Sequence, residues 1–295
     1  MIRAEPSNKS APAAEARRLK KFRLELVKAI PRFPNDRESL RHMQQKPLSA
    51  ALVDYIHWRS RYVGKRPRQI EIEAAAKADR RWLAMRPAIE GFLKKVRDGD
   101  DLTPHLSLAP HTRGYSPAAH APGATTEERW SDKDLVLTRM NYHHFHLGTT
   151  IEPAGHASRT DDLVFAEVSR ENFKVVAVFN HDVFLEGSAE RRRLYLVHNE
   201  IVFRGLPPGA GVMATAVASS GHALQIVIYA MACERWIRFV DPQLDDRAYV
   251  ENLYALSNLA PAPKTPKFEW TFLHLDLALY DRTSNKAFIF QYGWN

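Results

Sequence analysis

One cysteine, Cys233, stands in 295 residues. No intrachain disulfide can form, and no zinc site built on cysteine pairs is available. Cys233 lies in an apolar run and reads as buried and inert. No stretch approaches the ~18 consecutive apolar residues of a membrane-spanning helix. The first residues also lack the apolar core of a secretory signal. A cytoplasmic protein without a membrane partner is the expectation. No Gly-x-Ser-x-Gly elbow and no glycine-rich phosphate cradle occurs, so the common serine-hydrolase and nucleotide-binding signatures are missing. No internal repeat points to a solenoid.

What is present is an ordinary globular composition, 45% hydrophobic and 26% charged, with charge unevenly spread. Residues 1–100 hold 24 Lys and Arg against 12 Asp and Glu, whereas residues 101–295 hold 18 against 22. A basic front suits nucleic acid, an acidic protein partner or an anionic surface.

Residues 1–16, rich in Ala, Ser, Pro and Glu, read as a disordered tail. Residues 17–102 read as a basic helical region. Leu19, Phe22, Leu26 and Ile30 recur at helical spacing, Asn35-Asp36 resembles a helix cap, and Ile89, Phe92, Leu93 and Val96 form an apolar stripe. Trp58, Arg59, Arg61, Tyr62, Lys65, Arg66 and Arg68 make the densest basic patch. Cations interleaved with aromatics suit phosphates and stacked bases. The plainer reading is a helix end whose cations complement the macrodipole.

Residues 103–128, rich in Pro and Gly, read as a linker or a flap. Residues 129–295 read as an α+β catalytic domain. Ser131-Asp132-Lys133-Asp134 resembles a capping box opening a helix at Leu135–Met140. Strands at 142–148, Asp162–Val168 and Phe173–Phe179 suggest an antiparallel meander. Arg191–Val202 reads as helix or strand. Val212–Ala218 reads as a strand, followed by a turn and a second apolar run at Ala223–Ala230. Asp245–Leu256 reads as a helix, and Phe268–Leu279 with Lys286–Tyr292 as a terminal hairpin. The fold class is α+β: a basic N-terminal helical region, then a mixed, mainly antiparallel sheet.

The chemistry concentrates in Tyr142-His143-His144-Phe145-His146-Leu147-Gly148, where three of the 13 histidines fall within four residues. On a strand, His144 and His146 share one face, and His143, Phe145 and Leu147 the other. Arg159 lies in the next loop and His181 just past the third strand. His181 reaches the same edge only if that strand ends or bulges near Asn180. Otherwise it continues on the face of Phe173, Val175, Ala177 and Phe179. The set suits metal-independent RNA cleavage, with His144 or His146 as general base, His181 as general acid and Arg159 holding the phosphate. Glu167 shares parity with Leu163 and Phe165, and is a reserve base with an expected raised pKa.

The run His144–Gly148, Arg159–Val168 and Phe173–His181 resembles the strand, arginine loop, strand, turn and strand layout of small RelE-like ribonuclease toxins. That resemblance implies an RNA substrate, no metal cofactor and often an inhibitory protein partner. Arg159 and His181 are the residues it carries over. Other readings stay open. His144-x-His146 with a third histidine resembles the zinc arrangement of α-type carbonic anhydrases, implying a zinc-dependent hydrolase or lyase on His144, His146 and His181. Arg193 and His198 fit the Arg-x4-His spacing of HEPN ribonucleases. Ser219-Ser220-Gly221-His222 places another histidine after a turn. A non-catalytic nucleic-acid- or protein-binding protein, with structural histidines, is the remaining class.

Overall fold

Helical periodicity organises residues 17–98. The structure is a computed structural model and describes residues 16–207, 209–211, 217–257 and 261–295. The expected tail thus lies almost wholly outside the described residues, as does most of the strand expected at Val212–Ala218. Helix α1 (Arg17–Ala29) buries Phe22, Leu26 and Val27, the stripe its spacing predicts. Asp36 caps α2 (Arg37–Gln44) by accepting the Ser39 amide. Helix α3 (Leu48–Arg59) buries Leu52 and Ile56 in one core and Ala51 and Trp58 in another. A helix apolar around its girth belongs in the interior, so Asp54 needs a partner there and takes Lys46, 2.6 Å away. Strand β1 (Gln69–Ile72) and helices α4 (Ala74–Lys77), α5 (Arg80–Ala84) and α6 (Arg86–Asp98) follow. Gly99 ends α6 at φ 78°, a left-handed cap that disfavours side chains.

Residues 103–128 are neither linker nor flap. They fold into 3₁₀ turns at Thr103–His105 and Ala118–His120 and short helices α7 (Ala109–Thr112) and α8 (Thr126–Trp130). Trp58 Nε1 donates to Pro110 O at 2.9 Å, and Tyr115 pairs with Arg32 and is fully buried. The capping box sits at Thr125 and Glu128, not at Ser131–Asp134. Asp134 does cap helix α9 (Leu135–Met140), accepting the Leu137 amide.

Strands β2 (Tyr142–His146), β3 (Asp162–Val168) and β4 (Asn172–Asn180) form the expected antiparallel meander. β1 adds in parallel to β4, giving the order β1-β4-β3-β2. A strand from the basic front therefore completes the sheet of the rear. The expected boundaries at 102 and 128 do not separate independent units, because the cores cross them. One sheet face packs Phe145, Val164, Phe173 and Val175 against Phe92 and Leu93 of α6. Each such fully buried side chain contributes about 1.5–3 kcal/mol. The other face meets Val136 and Met140 of α9 and Leu194 and Val197 of α10 (Ala189–Phe203). The helix-or-strand ambiguity at Arg191–Val202 thus resolves to helix.

The apolar run at Ala223–Ala230, whose type the sequence leaves open, opens a long helix, α11 (Leu224–Val240). It buries Ile226, Ala230, Cys233 and Ile237 at 3.6-residue spacing, a period that short apolar runs do not reveal. Helix α12 (Arg247–Leu256) ends where expected and starts two residues after the expected Asp245. The terminal hairpin is a three-stranded meander of β5 (Phe268–Leu273), β6 (Asp276–Asp281) and β7 (Lys286–Gln291). The extra turn passes through His274 at φ 58°. This sheet packs Trp270, Leu277 and Phe288 with α1, α3, α11 and α12.

Candidate active site

The edge strand β2 carries His144 and His146 on the α9/α10 face of the sheet, opposite Phe165 and Leu163. A bulge in β4 brings the third histidine to that face. Phe165 pairs with Ala177 while Ala166 pairs with Val175, leaving Val176 as the extra residue. The alternation flips there. Phe173 and Val175 stay on the α6 face, whereas Ala177 and Phe179 turn to the α10 face. The strand then ends at Asn180, whose side chain accepts the Asp182 amide and starts a 3₁₀ turn at His181. The rings of His146 and His181 lie 5.4 Å apart, centroid to centroid.

The loop that carries Arg159 folds tightly back over Gly148. A Cβ on Gly148 would meet Ser158 O at 2.0 Å, so only glycine permits the approach. Thr160 locks the crossing. Its hydroxyl accepts the Leu147 amide at 3.1 Å and donates to Asp162 O at 2.7 Å. Arg159 Nη1 donates to Leu106 O at 3.1 Å.

Hydrogen-bond partners set the proton positions. The Thr160 amide donates to His146 Nδ1 at 3.3 Å, so the neutral ring carries its proton on Nε2. His181 Nδ1 lies 2.9 Å from Asp161 O, which only accepts, so this nitrogen carries the proton and the exposed ring leaves Nε2 as a lone pair. Burial first, then the charges of Arg159, His144 and His181, push His146 down to about 3. Burial also lowers His144; Asp134 opposes this, and Arg159 and His181 reinforce it. His144 Nδ1 is buried without a hydrogen bond, 3.7 Å from Asp134 Oδ2, and its ring packs on Phe165 and Phe184.

Glu167 shares the face and is half-buried, but it pairs with Tyr142 at the far end of β2. Its charge acts on Tyr142 and His198, whose Nδ1 and hydroxyl oxygen lie 2.9 Å apart. It stands apart from His146 and His181, so the reserve base is not beside the cluster. Arg193 of the Arg-x4-His pair binds Asp79 at 2.9 Å and Val178 O instead of His198. Among the described residues, no three His, Cys, Asp or Glu side chains stand where they could hold a metal ion. His144, His146 and His181 therefore do not form the zinc site of the alternative reading. The Nδ1 atoms of His146 and His181 are already engaged with backbone.

The basic patch mostly faces inward. Trp58, Arg61, Tyr62 and Arg68 are buried. Arg61 donates to Arg113 O and Asp132 O. Arg68 donates to Ser169 O at 2.7 Å, Gly64 O at 2.9 Å and Arg66 O at 3.3 Å, and burial lowers it to about 10. These four hold the chain together and offer no phosphate-binding surface. Arg59 lies over the Tyr62 ring, Lys65 pairs with Asp101 at 2.9 Å, and Arg66 is half-buried.

A second polar cluster has no counterpart in the sequence reading. Asp132 accepts from Lys133 Nζ at 2.6 Å, His120 Nε2 at 3.2 Å and the Ser116 amide at 3.0 Å. His222 packs between His57 and His120 at 4.9 and 5.8 Å, and Lys46 pairs with Asp54 at 2.6 Å. Both nitrogens of buried His57 lack partners. Burial, then Arg61 and Lys133, lowers His57 to about 3. The residues come from five separate segments, so no local spacing announces them. Comparison with family models, curated proteins and solved structures finds no match.

Proposed function

We propose that the protein is a metal-independent ribonuclease acting at His146, His181 and Arg159. The observation that carries this reading is the His146–His181 ring pair at 5.4 Å, on a sheet edge whose neighbouring loop carries Arg159. A positioned base and a cation suit the first step of ribose phosphodiester cleavage.

In this reading His181 is the base, in place of the His144 or His146 that the sequence suggested. His181 Nε2 takes the proton from the ribose 2′-hydroxyl. The 2′-oxygen attacks phosphorus, and the bond from phosphorus to the 5′-oxygen breaks. The products are a 2′,3′-cyclic phosphate and a 5′-hydroxyl, whose proton comes from solvent. Arg159 stabilises the extra negative charge on phosphorus. His146, buried and neutral, packs its ring against that of His181 and holds the base in place. His144 packs on Phe165 and Phe184. A nuclease of this kind would be held in check by an inhibitory protein partner, as the resemblance to RelE-like toxins implies.

The test is incubation of total RNA with the wild type, H146A, R159A and H181A in EDTA. The wild type should leave cyclic-phosphate ends. H181A should lose about 10²–10⁴-fold in rate, the usual worth of a positioned base. No cleavage by wild type, or equal cleavage by H181A, refutes the reading.

A further inference from the structure

Beside the histidines, a cavity of about 220 Å³ opens between α9, the 3₁₀ turn at His181–Phe184 and α10. It is smaller than the ~300–1,000 Å³ of drug-sized sites and suits one planar heterocycle. Asp134, Arg139, Phe184, Arg191, Leu194 and Tyr195 line it. His144 joins it to the cleavage cluster. The His144 ring lies 5.0 Å from the Phe184 ring, and its Nδ1 lies 3.7 Å from Asp134 Oδ2.

We propose that this cavity binds one guanine base of single-stranded RNA, next to the phosphate that is cut. The inference rests on the ribonuclease reading and names its specificity. Phe184 and Tyr195 are each 39% exposed, and so offer aromatic surface on which a base stacks. Asp134 Oδ1 is occupied by the Leu137 amide at 2.9 Å. Oδ2 has no hydrogen-bond partner among the described residues and accepts from N–H groups. Arg139 and Arg191 supply guanidinium donors, Arg191 being steadied by Phe184 O at 3.3 Å. A carboxylate and a guanidinium in one small pocket match guanine. Its N1–H and N2–H donors are adjacent on one edge, and its O6 and N7 acceptors are adjacent on another. Adenine, cytosine and uracil lack that combination. Substrates must be unpaired, because the donor edge is hidden in a duplex.

The experiment maps cut sites on an unstructured RNA containing every dinucleotide, and in parallel measures binding of 5′-GMP, AMP, CMP and UMP to the full chain by NMR. Wild type should favour guanosine by about tenfold or more over each other base, the discrimination of one good bidentate contact. D134N should level the four bases to within about twofold. Asparagine caps a helix as well as aspartate does, so the fold is retained. F184A should lower cleavage beside every base by about tenfold, because stacking is base-tolerant. Cleavage by wild type without base preference, or an unchanged preference in D134N, overturns the guanine site and leaves the ribonuclease standing. Selective GMP binding without RNA cleavage supports the site and overturns the ribonuclease. Neither cleavage nor GMP binding removes both.

Discussion

Replacing Asp132 with Asn tests whether the unforeseen polar cluster braces the fold. The Asp132 carboxylate and Lys133 ammonium are 3% and 1% exposed and lie 2.6 Å apart. Burial alone would raise the Asp132 carboxyl. The His120 hydrogen bond and the Lys133 charge more than offset that, and hold it well below the usual carboxylate range. Asn keeps the shape but leaves the ammonium buried without a counter-charge. Breaking a buried pair in this way costs about 3–5 kcal/mol, a large part of the ~5–15 kcal/mol that a protein has in total. Urea unfolding at pH 7 should show a midpoint lower by about 1 M or more, at a slope of ~3 kcal/mol per M. D132N/K133M should recover most of the loss, since an apolar replacement of both partners is often neutral or better. A group with a depressed folded pKa contributes its stability above its unfolded value, ~3.9 for Asp, and loses it as pH falls through the folded value. The gap between wild type and D132N should therefore hold from pH 7 to about 4 and narrow only below that. A loss under about 1 kcal/mol, or a double variant as weak as D132N, refutes the reasoning.

His57 is held neutral by burial, with a folded pKa of about 3, so it contributes stability above ~6.5 that is lost as pH falls towards 3. H57F should flatten the acid limb of a stability-versus-pH curve by about 1.4 kcal/mol per pH unit between pH 6 and 4; an unchanged slope counts against a buried neutral ring. Burial raises the Cys233 thiol to about 12, so an aromatic disulfide reagent should label it only at the rate of unfolding, and rapid labelling of native protein would contradict its packing. R68A strands three backbone carbonyls and should cost about 2 kcal/mol or more in thermal or urea unfolding. K65A removes an exposed pair with Asp101 and should cost under ~1 kcal/mol; equal effects would show that the basic patch is not divided between interior and surface.

The three strands around the histidines were legible because alternation and turn residues are local. Phe173–Phe179 differs from the strand bounds by one residue at each end. The helix α11 was not legible, because its first eight residues carry no period that separates helix from strand. The parallel pairing of β1 with β4 joins residues a hundred positions apart, and nothing within either segment specifies it. The cation–aromatic patch misled because composition does not say which way a side chain points. The Asp132 cluster was invisible because its members meet only in space.

The sequence by itself determined that His144 and His146 share a face, since a strand repeats every two residues. It also placed Arg159 in the loop that follows, while the close approach of that loop to Gly148 appears only in the structure. Only the tertiary structure decided that His181 joins them. That depends on one extra residue at Val176 in β4, which reverses the alternation, and on the capping of the next turn by Asn180. It also decided which nitrogen of His146 and of His181 carries the proton, because that follows from backbone groups brought in by neighbouring loops.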